Sequence, residues 1–302
     1  MTLGGVEAGG TKFVCLVASD SGEVIEEARF PTTFPDETIA QTIAFFAQFT
    51  AAGGVLDAIG IASFGPVELR TADRWFGHIV STPKAGWSFT DLVGPLRAAF
   101  DVPIGFDTDV NGAAVAEGRW GAARGVDNFV YITVGTGIGG GAVVAGRPVH
   151  GLVHPEMGHL AIPRDPGDDF AGVCPFHGDC FEGMASGTAM AARWGRGAET
   201  MSGAQRDRAA SLEATYLAWG LRNIVYTLAP QRIIIGGGVA GLPDLFPMIR
   251  TRLQASLGAY PGLDEHAEAA FVVPPALGGM AGPLGAVSLA GQAAQDAASR
   301  AS

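Results

Sequence analysis

Two glycine-rich turns in the first half of the chain constrain the fold most, because each joins two apolar runs. The first turn follows residues 3–8 and precedes residues 13–19, and the second follows residues 129–134. Turns without β-carbons let backbone N–H groups approach an anion closely. The pair therefore favours two strand–turn–strand units and suggests that a phosphate chain is gripped from both sides. The candidate phosphate-binding residues are Gly9, Gly10, Thr11, Lys12, Gly135, Thr136, Gly137 and Gly139.

A plain hairpin is the alternative for each turn, since glycine makes up 45 of the 302 residues. Neither turn has the Lys-Ser/Thr pair of a P-loop opening a helix, and the second leads into a strand rather than a dinucleotide-binding helix. However, Thr11 and Thr136 place hydroxyl groups at equivalent positions, and Lys12 adds a cation. This shared decoration favours nucleotide binding.

Composition excludes several classes of protein. A chain of 302 residues with 48% hydrophobic and 16% charged residues can bury a large core in two domains. The net charge is −11, and the basic residues are scattered, so nucleic acid and anionic membranes are not expected partners. No leader pattern and no apolar run near 20 residues is present, which predicts a cytoplasmic protein. Three cysteines favour reduced thiols over a disulfide framework.

Strands alternate with helices along the chain, which predicts a mixed α/β fold with two related lobes. We expect an N-terminal lobe at residues 1–112, completed by a C-terminal helix near 284–302. The second lobe would span 113–283 and include an irregular metal-binding insertion at 151–183. The predicted strands are 3–8, 13–19, 24–30, 58–64, 102–106, 129–134, 141–145, 232–235 and 270–273, and the predicted helices are 35–52, 90–100, 111–120, one from 185, 206–228, 242–257 and one after 283.

A third glycine turn, Gly236-Gly237-Gly238, follows an isoleucine-rich strand and precedes a helix. Ligands bind at such strand-to-helix turns in open α/β sheets, and missing side chains would admit a base or ribose. Close packing of the following helix explains the glycines equally well.

Asp109 lies where a predicted strand meets a predicted helix, in the sequence Asp107-Thr108-Asp109. A carboxylate at the carboxyl end of a strand can accept a proton from a substrate hydroxyl. A helix N-cap is the competing interpretation, because aspartate is favoured at that position.

A cluster of sulfur and nitrogen ligands indicates a metal site. His159, Cys174, His177 and Cys180 supply two imidazoles and two thiolates, the set that tetrahedral zinc favours. Four protein ligands leave no position for water, so the zinc would be structural and would fix the neighbouring carboxylates Glu156 and Glu182. A disulfide between the two cysteines, or solvent-exposed histidines, would be the alternative.

Taken together, these motifs resemble the ROK family of repressors, open reading frames and sugar kinases within the actin and hexokinase superfamily. Residues 4–12 resemble its first phosphate motif, 134–141 its second and 235–239 its adenosine motif. Residues 155–159 and 174–183 are similar to its sugar and metal signature. The resemblance spans nearly the whole chain, and it implies a two-lobed actin/hexokinase-like, ribonuclease H-like ATPase fold with mixed sheets.

Within that family, the motifs look most like those of bacterial fructokinases. The resemblance implies transfer of the γ-phosphoryl group of ATP, with Mg²⁺, to the 6-hydroxyl of a hexose, and a homodimer. Asp109 would be the base, while Glu7 stands where relatives carry Asp. Thr108 stands where many relatives carry an asparagine that binds sugar. The residues implied to line the sugar pocket are Gly65, Pro66, Thr108, Asp109, Glu156, His159 and Glu182.

Other functions compete with this one. A glucokinase or mannokinase of the same family would differ by a few sugar contacts. A sugar-sensing regulator would carry a DNA-binding domain ahead of these motifs, and we expect no room for one because the first predicted strand begins at residue 3. A sugar-binding module would not need Asp109 beside two phosphate turns, and a zinc hydrolase would need an open coordination position.

Overall fold

The computed structural model describes residues 1–197, 200–258, 260 and 262–301. Their internal contacts separate two compact units. Unit 1 comprises Met1–Arg124, Pro148–His154 and Gly279–Ser302, and unit 2 comprises Gly125–Arg147 and Pro155–Gly278.

Unit 1 is built on a five-stranded mixed sheet in the order β3-β2-β1-β4-β7. The first three strands pair antiparallel, and β4 and β7 add parallel to β1. A short ladder of β5 and β6 lies outside this sheet. The strands are β1 (Thr2–Ala8), β2 (Lys12–Ser19), β3 (Val24–Pro31), β4 (Ala58–Ser63), β5 (His78–Ile79), β6 (Thr90–Asp91) and β7 (Ile104–Thr108), and the helices are α1 (Pro35–Ala51), α2 (Val93–Ala99), α3 (Asp109–Trp120) and α8 (Ala281–Ala301).

Helix α1 shows how the sequence specifies these elements. Pro35 occupies its first turn, where a missing N–H is tolerated, and two acidic residues follow that complement the helix dipole. Its buried residues Thr38, Ile39, Thr42 and Phe46 recur at helical spacing on one face. Phe46 is fully buried in a core cluster that includes Phe13 and Trp87.

Helix α8 packs closely against the parallel strands of unit 1. A β-carbon at Gly60 in β4 would overlap the backbone of α8 at Ala286, and one at Gly285 would overlap α3 at Gly112. Glycine is required at both positions because the backbones are in direct contact. The C-terminal helix is therefore part of unit 1.

Unit 2 repeats the strand arrangement of unit 1, in the order β10-β9-β8-β11-β12. Strands β8 and β9 pair antiparallel, and β11 and β12 add parallel. The strands are β8 (Phe129–Val134), β9 (Ile138–Val144), β10 (Arg147–Pro148), β11 (Arg232–Gly236) and β12 (Val272–Val273), and the helices are α4 (Phe181–Ala185), α5 (Gly187–Trp194), α6 (Gly203–Leu228) and α7 (Leu245–Leu257). Short 3-10 helices lie at Met157–His159, Gly238–Gly241, Asp264–Ala267 and Gly278–Met280.

Several boundaries differ from the sequence-based expectations. The expected domain boundary at 112 falls inside α3, whose hydrogen-bonded backbone is continuous, and unit 1 runs on to Arg124 and also includes Pro148–His154. The division into domains at 1–112 with 284–302, and at 113–283, stays a prediction. Helix α2 begins at Val93 because Thr90–Asp91 pairs as β6. Among the described helices, none combines the length and apolar composition that crossing a bilayer requires.

Candidate functional site

The register of the unit 1 sheet brings three predicted site segments to one edge. Ala8, Ser63 and Thr108 are the last residues of β1, β4 and β7, and they are Cα partners in one row of the parallel ladder. The first glycine turn, Gly65-Pro66 and Asp109 each follow one of these strand ends. Since adjacent strands lie about 4.8 Å apart, the row is about 10 Å wide.

The first glycine turn is held by backbone and hydroxyl contacts. The N–H of Gly9 donates to the carbonyl of Lys12 at 3.1 Å. The hydroxyl of Thr32 donates to the Gly9 carbonyl at 2.7 Å, and its N–H donates to the Thr11 carbonyl at 3.0 Å. A β-carbon on Gly10 would meet no described atom within 4 Å, and Gly10 does not adopt a positive φ. The space above Gly10 is therefore open to a ligand.

Glu7 and Lys12 flank this turn with opposite charges. Burial raises the pKa of Glu7, and the nearby charges of Lys12 and Arg29 partly offset that rise. The Glu7 carboxylate lies against Gly282 in the first turn of α8. Lys12 is exposed at the start of β2, where its ammonium group can reach an anion at the turn.

Asp109 is the first residue of α3 and is half-buried. One carboxylate oxygen accepts the N–H of Val110 at 2.8 Å. The helix N-cap is Thr108, whose hydroxyl oxygen accepts the N–H of Asn111 at 3.1 Å, so the interpretation of Asp109 as the N-cap is wrong. The Thr108 side chain, implied to contact sugar, is buried and caps the helix.

Asp107 forms a buried polar cluster next to Asp109. Its carboxylate accepts the N–H of Thr108 at 2.7 Å and the side-chain amide of Asn111 at 2.7 Å. Its other oxygen lies 2.8 Å from Nε2 of His150. The hydrogen bond to Asp107 raises the pKa of His150 above its usual value, against the smaller opposing effect of burial. The cluster ties the Pro148–His154 segment to the start of α3.

Gly65 and Pro66, the implied pocket wall, are joined by a cis peptide bond after β4. The carbonyl of Pro66 accepts the N–H of Val80 at 2.8 Å, and the next N–H, that of Val67, donates to Nε2 of His154 at 3.2 Å. His154 is buried, and its imidazole supports this wall through the hydrogen bond from Val67.

The second glycine turn consists of Gly135, Thr136 and Gly137. The N–H of Gly135 donates to the carbonyl of Gly137 at 2.9 Å. Gly139 lies outside the turn, because β9 already begins at Ile138 and Gly139 pairs with Thr133. Its assignment to the turn is therefore wrong. As at Gly10, a β-carbon on Gly135 would meet no described atom within 4 Å.

The segment after the predicted metal ligands holds this second turn. A carboxylate oxygen of Glu182 accepts the N–H of Ile138 at 2.9 Å. The N–H of Gly187 donates to the Gly135 carbonyl at 2.7 Å, and the hydroxyl of Thr188 donates to the Thr136 carbonyl at 2.7 Å. Glu182, a residue implied to line the sugar pocket, therefore contacts the second glycine turn.

The third glycine turn has two packed members and one open member. A β-carbon on Gly236 would overlap the Tyr131 hydroxyl. A β-carbon on Gly237, which has a φ of +88°, would overlap the Val134 carbonyl. Close packing alone therefore explains these two glycines. Gly238 faces open space, where a base or ribose can approach its backbone.

The four predicted metal ligands lie together in unit 2. The ligand atoms of His159, Cys174, His177 and Cys180 all lie within 4.8 Å of one another. Nδ1 of His159 is 3.7 Å from the sulfur of Cys174 and 3.7 Å from that of Cys180. Zinc–ligand bonds of about 2.0–2.3 Å give a tetrahedral edge of about 3.6 Å, so the cluster fits zinc. The thiols are free, not a disulfide.

Two features of the cluster bear on its ligands. Burial raises the pKa of Cys180 to about 11, so a bound cation is what would make this thiol a thiolate at neutral pH. Because Nδ1 of His159 faces the sulfurs, its Nε2 is left for another partner. Glu156 precedes the 3-10 helix that carries His159 and has an exposed side chain.

The chain matches the ROK family over residues 3–293. It belongs to the ROK family. The fructokinase of Zymomonas mobilis is 42% identical to this ROK protein over 291 residues, covering 95% of each chain. The fructokinase of Pediococcus pentosaceus is 39% identical over 300 residues, covering 98% of this chain and 100% of that one.

A solved structure gives the same fold. The ROK family glucokinase from Streptomyces griseus, in complex with glucose and AMPPNP, aligns with a TM-score of 0.75 at 25% identity, covering 97% of this chain and 100% of that one. The resemblance to the family and the expected actin/hexokinase-like fold are confirmed.

Several residues of this ROK protein's site received no role from the sequence. Asp107, His150, His154, Thr32 and Thr188 all contact predicted site segments. These contacts join residues that are distant along the chain: His150 lies 43 positions after Asp107, and His154 lies 87 positions after Val67. No local sequence pattern predicts contacts between residues so far apart along the chain. The only available signal was two histidines, at 150 and 154, just before Glu156.

Proposed function

We propose that this chain is an ATP-dependent fructokinase that transfers the γ-phosphoryl group to the 6-hydroxyl of D-fructose. The observation that carries the proposal is the row Ala8, Ser63 and Thr108, which sets the first glycine turn, Gly65-Pro66 and Asp109 along one sheet edge. The fructokinase names of its relatives supply the choice of sugar.

Asp109 acts as the general base. Phosphoryl transfer passes through a loose transition state, so the base accepts the proton of the attacking 6-hydroxyl late in the reaction. The first turn of α3 fixes the carboxylate through the hydrogen bond from Val110. The carboxylate is the group that takes the proton.

The glycine turns bind the phosphates in this proposal. Open space at Gly10 and Gly135 supports close approach of phosphate oxygens to backbone N–H groups. The hydroxyls of Thr11 and Thr136 and the ammonium of Lys12 add donors that stabilise developing charge. Magnesium bound with the nucleotide supplies further charge neutralisation, and Glu7 is the carboxylate of this motif that would contact its water shell.

The residues implied to line the sugar pocket supply the sugar contacts in this proposal. Glu156, Glu182 and Nε2 of His159 accept or donate hydrogen bonds to hydroxyls, and Thr108 with Gly65-Pro66 completes the set. Zinc on His159, Cys174, His177 and Cys180 supplies a rigid anchor for these side chains when bound. Gly236, Gly237 and Gly238 lie against the adenosine. We also propose that the protein is a homodimer, and light scattering measures its molar mass in solution.

A coupled assay of ADP release over fructose, mannose and glucose tests the reaction. We expect fructose to give the highest kcat/KM. Asp109→Asn keeps the acceptor for Val110 and so keeps the fold, but it lowers kcat by about 10²-fold or more, the scale of a general base. Asp101→Asn, an exposed aspartate of the same unit, is the matched control.

Two outcomes contradict the proposal. Turnover of Asp109→Asn equal to that of Asp101→Asn would remove Asp109 as the base. Absence of ADP release with every hexose, together with sugar binding by calorimetry, would identify a sugar-sensing protein instead.

A further inference from the structure

Two threonines outside the glycine turns each hold one carbonyl of a turn by a side-chain hydroxyl. Thr32, after β3, donates to Gly9 at 2.7 Å, and Thr188, in the first turn of α5, donates to Thr136 at 2.7 Å. The two bonds have the same donor type, acceptor type and length. They occur in the two units whose sheets share one strand order.

Because the peptide group is planar, a hydrogen bond that fixes a turn carbonyl also fixes the direction of the N–H of the next residue. The carbonyl of one residue and the N–H of the next belong to one rigid planar unit and point in opposite directions. A hydroxyl that fixes the Thr136 carbonyl therefore fixes the N–H of Gly137 away from α5. In the same way, the Thr32 hydroxyl fixes the direction of the Gly10 N–H.

The second turn shows which N–H groups this leaves for a ligand. Gly187 fixes the Gly135 carbonyl and thereby the Thr136 N–H, while Glu182 accepts the Ile138 N–H. Among the hydrogen bonds of the described residues, none uses the N–H of Thr136 or Gly137. Two successive N–H groups held in this way form an anion-binding concavity.

The first turn follows the same rule. The Thr32 N–H holds the Thr11 carbonyl, and the Thr32 hydroxyl holds the Gly9 carbonyl. Within the part of the chain that the structure describes, no hydrogen bond takes the Gly10 N–H. A β-carbon is absent there as well, so an oxygen can reach this donor.

We propose that Thr188 and Thr32 are positioning residues that aim the turn N–H groups at the nucleotide phosphates. Without the hydroxyl, the peptide unit is free to rotate and to turn its carbonyl oxygen, which repels phosphate, toward the ligand. This inference rests on the proposed function, since it presumes that the turns bind a nucleotide.

The test combines Thr188→Val and Thr32→Val with the matching serine variants. Valine keeps the shape and removes the donor, whereas serine keeps the donor. Thr227→Val and Thr50→Val are the controls, because each removes a hydroxyl that donates to a helix carbonyl, at 2.8 and 3.1 Å, away from the turns. Calorimetry measures the Kd of AMPPNP and of adenosine, and the coupled assay gives KM for ATP and for fructose.

We expect each turn valine variant to weaken AMPPNP binding and raise KM for ATP about 2–12-fold, the range for one net hydrogen bond. Adenosine affinity, KM for fructose and Tm should match the controls, and the serine variants should recover wild-type affinity. AMPPNP affinity within twofold of wild type overturns the inference. So does an equal loss of adenosine and fructose binding with a lowered Tm, because that indicates a general structural effect. Failure of the wild-type protein to bind AMPPNP overturns the proposed function itself.

Discussion

Alanine should lower the stability of the protein at one glycine of the second turn and not at another. Both changes add one methyl group, and only the surroundings differ. A β-carbon at Gly135 meets nothing within 4 Å, whereas one at Gly137 would lie 2.5 Å from a carboxylate oxygen of Glu182. Gly137→Ala therefore displaces Glu182 and breaks its hydrogen bond to the Ile138 N–H.

The magnitudes follow from these contacts. A hydrogen bond to a charged group contributes about 1.5–3 kcal/mol to stability. Replacing glycine by alanine stabilises by about 0.4–1 kcal/mol, because it lowers the conformational entropy of the unfolded chain. Gly137→Ala should thus destabilise by about 0.5–2.6 kcal/mol. At roughly 2–4 °C per kcal/mol, Tm falls by about 1–10 °C. Gly135→Ala should leave Tm unchanged or slightly raised, and its methyl group should weaken AMPPNP binding.

Differential scanning calorimetry with and without AMPPNP measures both effects. Equal Tm values for the two variants would refute the claim that Glu182 holds the turn. Unchanged AMPPNP affinity in Gly135→Ala would refute the claim that phosphate occupies the open space above that residue.

Two further predictions concern pH and metal. Because its partner Asp107 raises the pKa of His150, the ion pair stabilises fully below about pH 6.5 and the effect is lost as pH rises through the raised pKa. Wild-type protein should therefore exceed His150→Gln in Tm at pH 6 and match it at pH 9, and a constant difference would contradict this assignment. Purified protein should contain one zinc per chain by elemental analysis, and removal by a chelator should lower Tm, as should Cys180→Ser. Zinc content that is unchanged in Cys180→Ser would exclude the four-ligand site.

The local sequence was enough to predict most elements and to bring the four candidate metal ligands together in one prediction. Apolar runs ending in glycine turns specify β1, β2 and β8, and Pro35 followed by helical spacing specifies α1. The cluster of candidate metal ligands could be predicted because three of them lie within seven residues. Such features depend on short-range sterics and ligand chemistry, which neighbouring residues determine.

Boundaries failed where a distant partner decided them. The sequence placed Gly139 in the turn, but pairing with Thr133 extends β9 to Ile138. The sequence allowed Asp109 to be the N-cap of α3. Thr108 is the N-cap instead, because β7 ends at Thr108 and the helix begins at Asp109.

By itself, then, the sequence determined the glycine turns, the candidate base and the candidate metal ligands, because each is a choice of residue type made over a few positions. Only the tertiary structure decided that Ala8, Ser63 and Thr108 share a row, that Asp107 pairs with His150, and that Thr32 and Thr188 hold the turn carbonyls. These contacts join residues 23–55 positions apart, and strand register and helix packing, not local preference, bring them together.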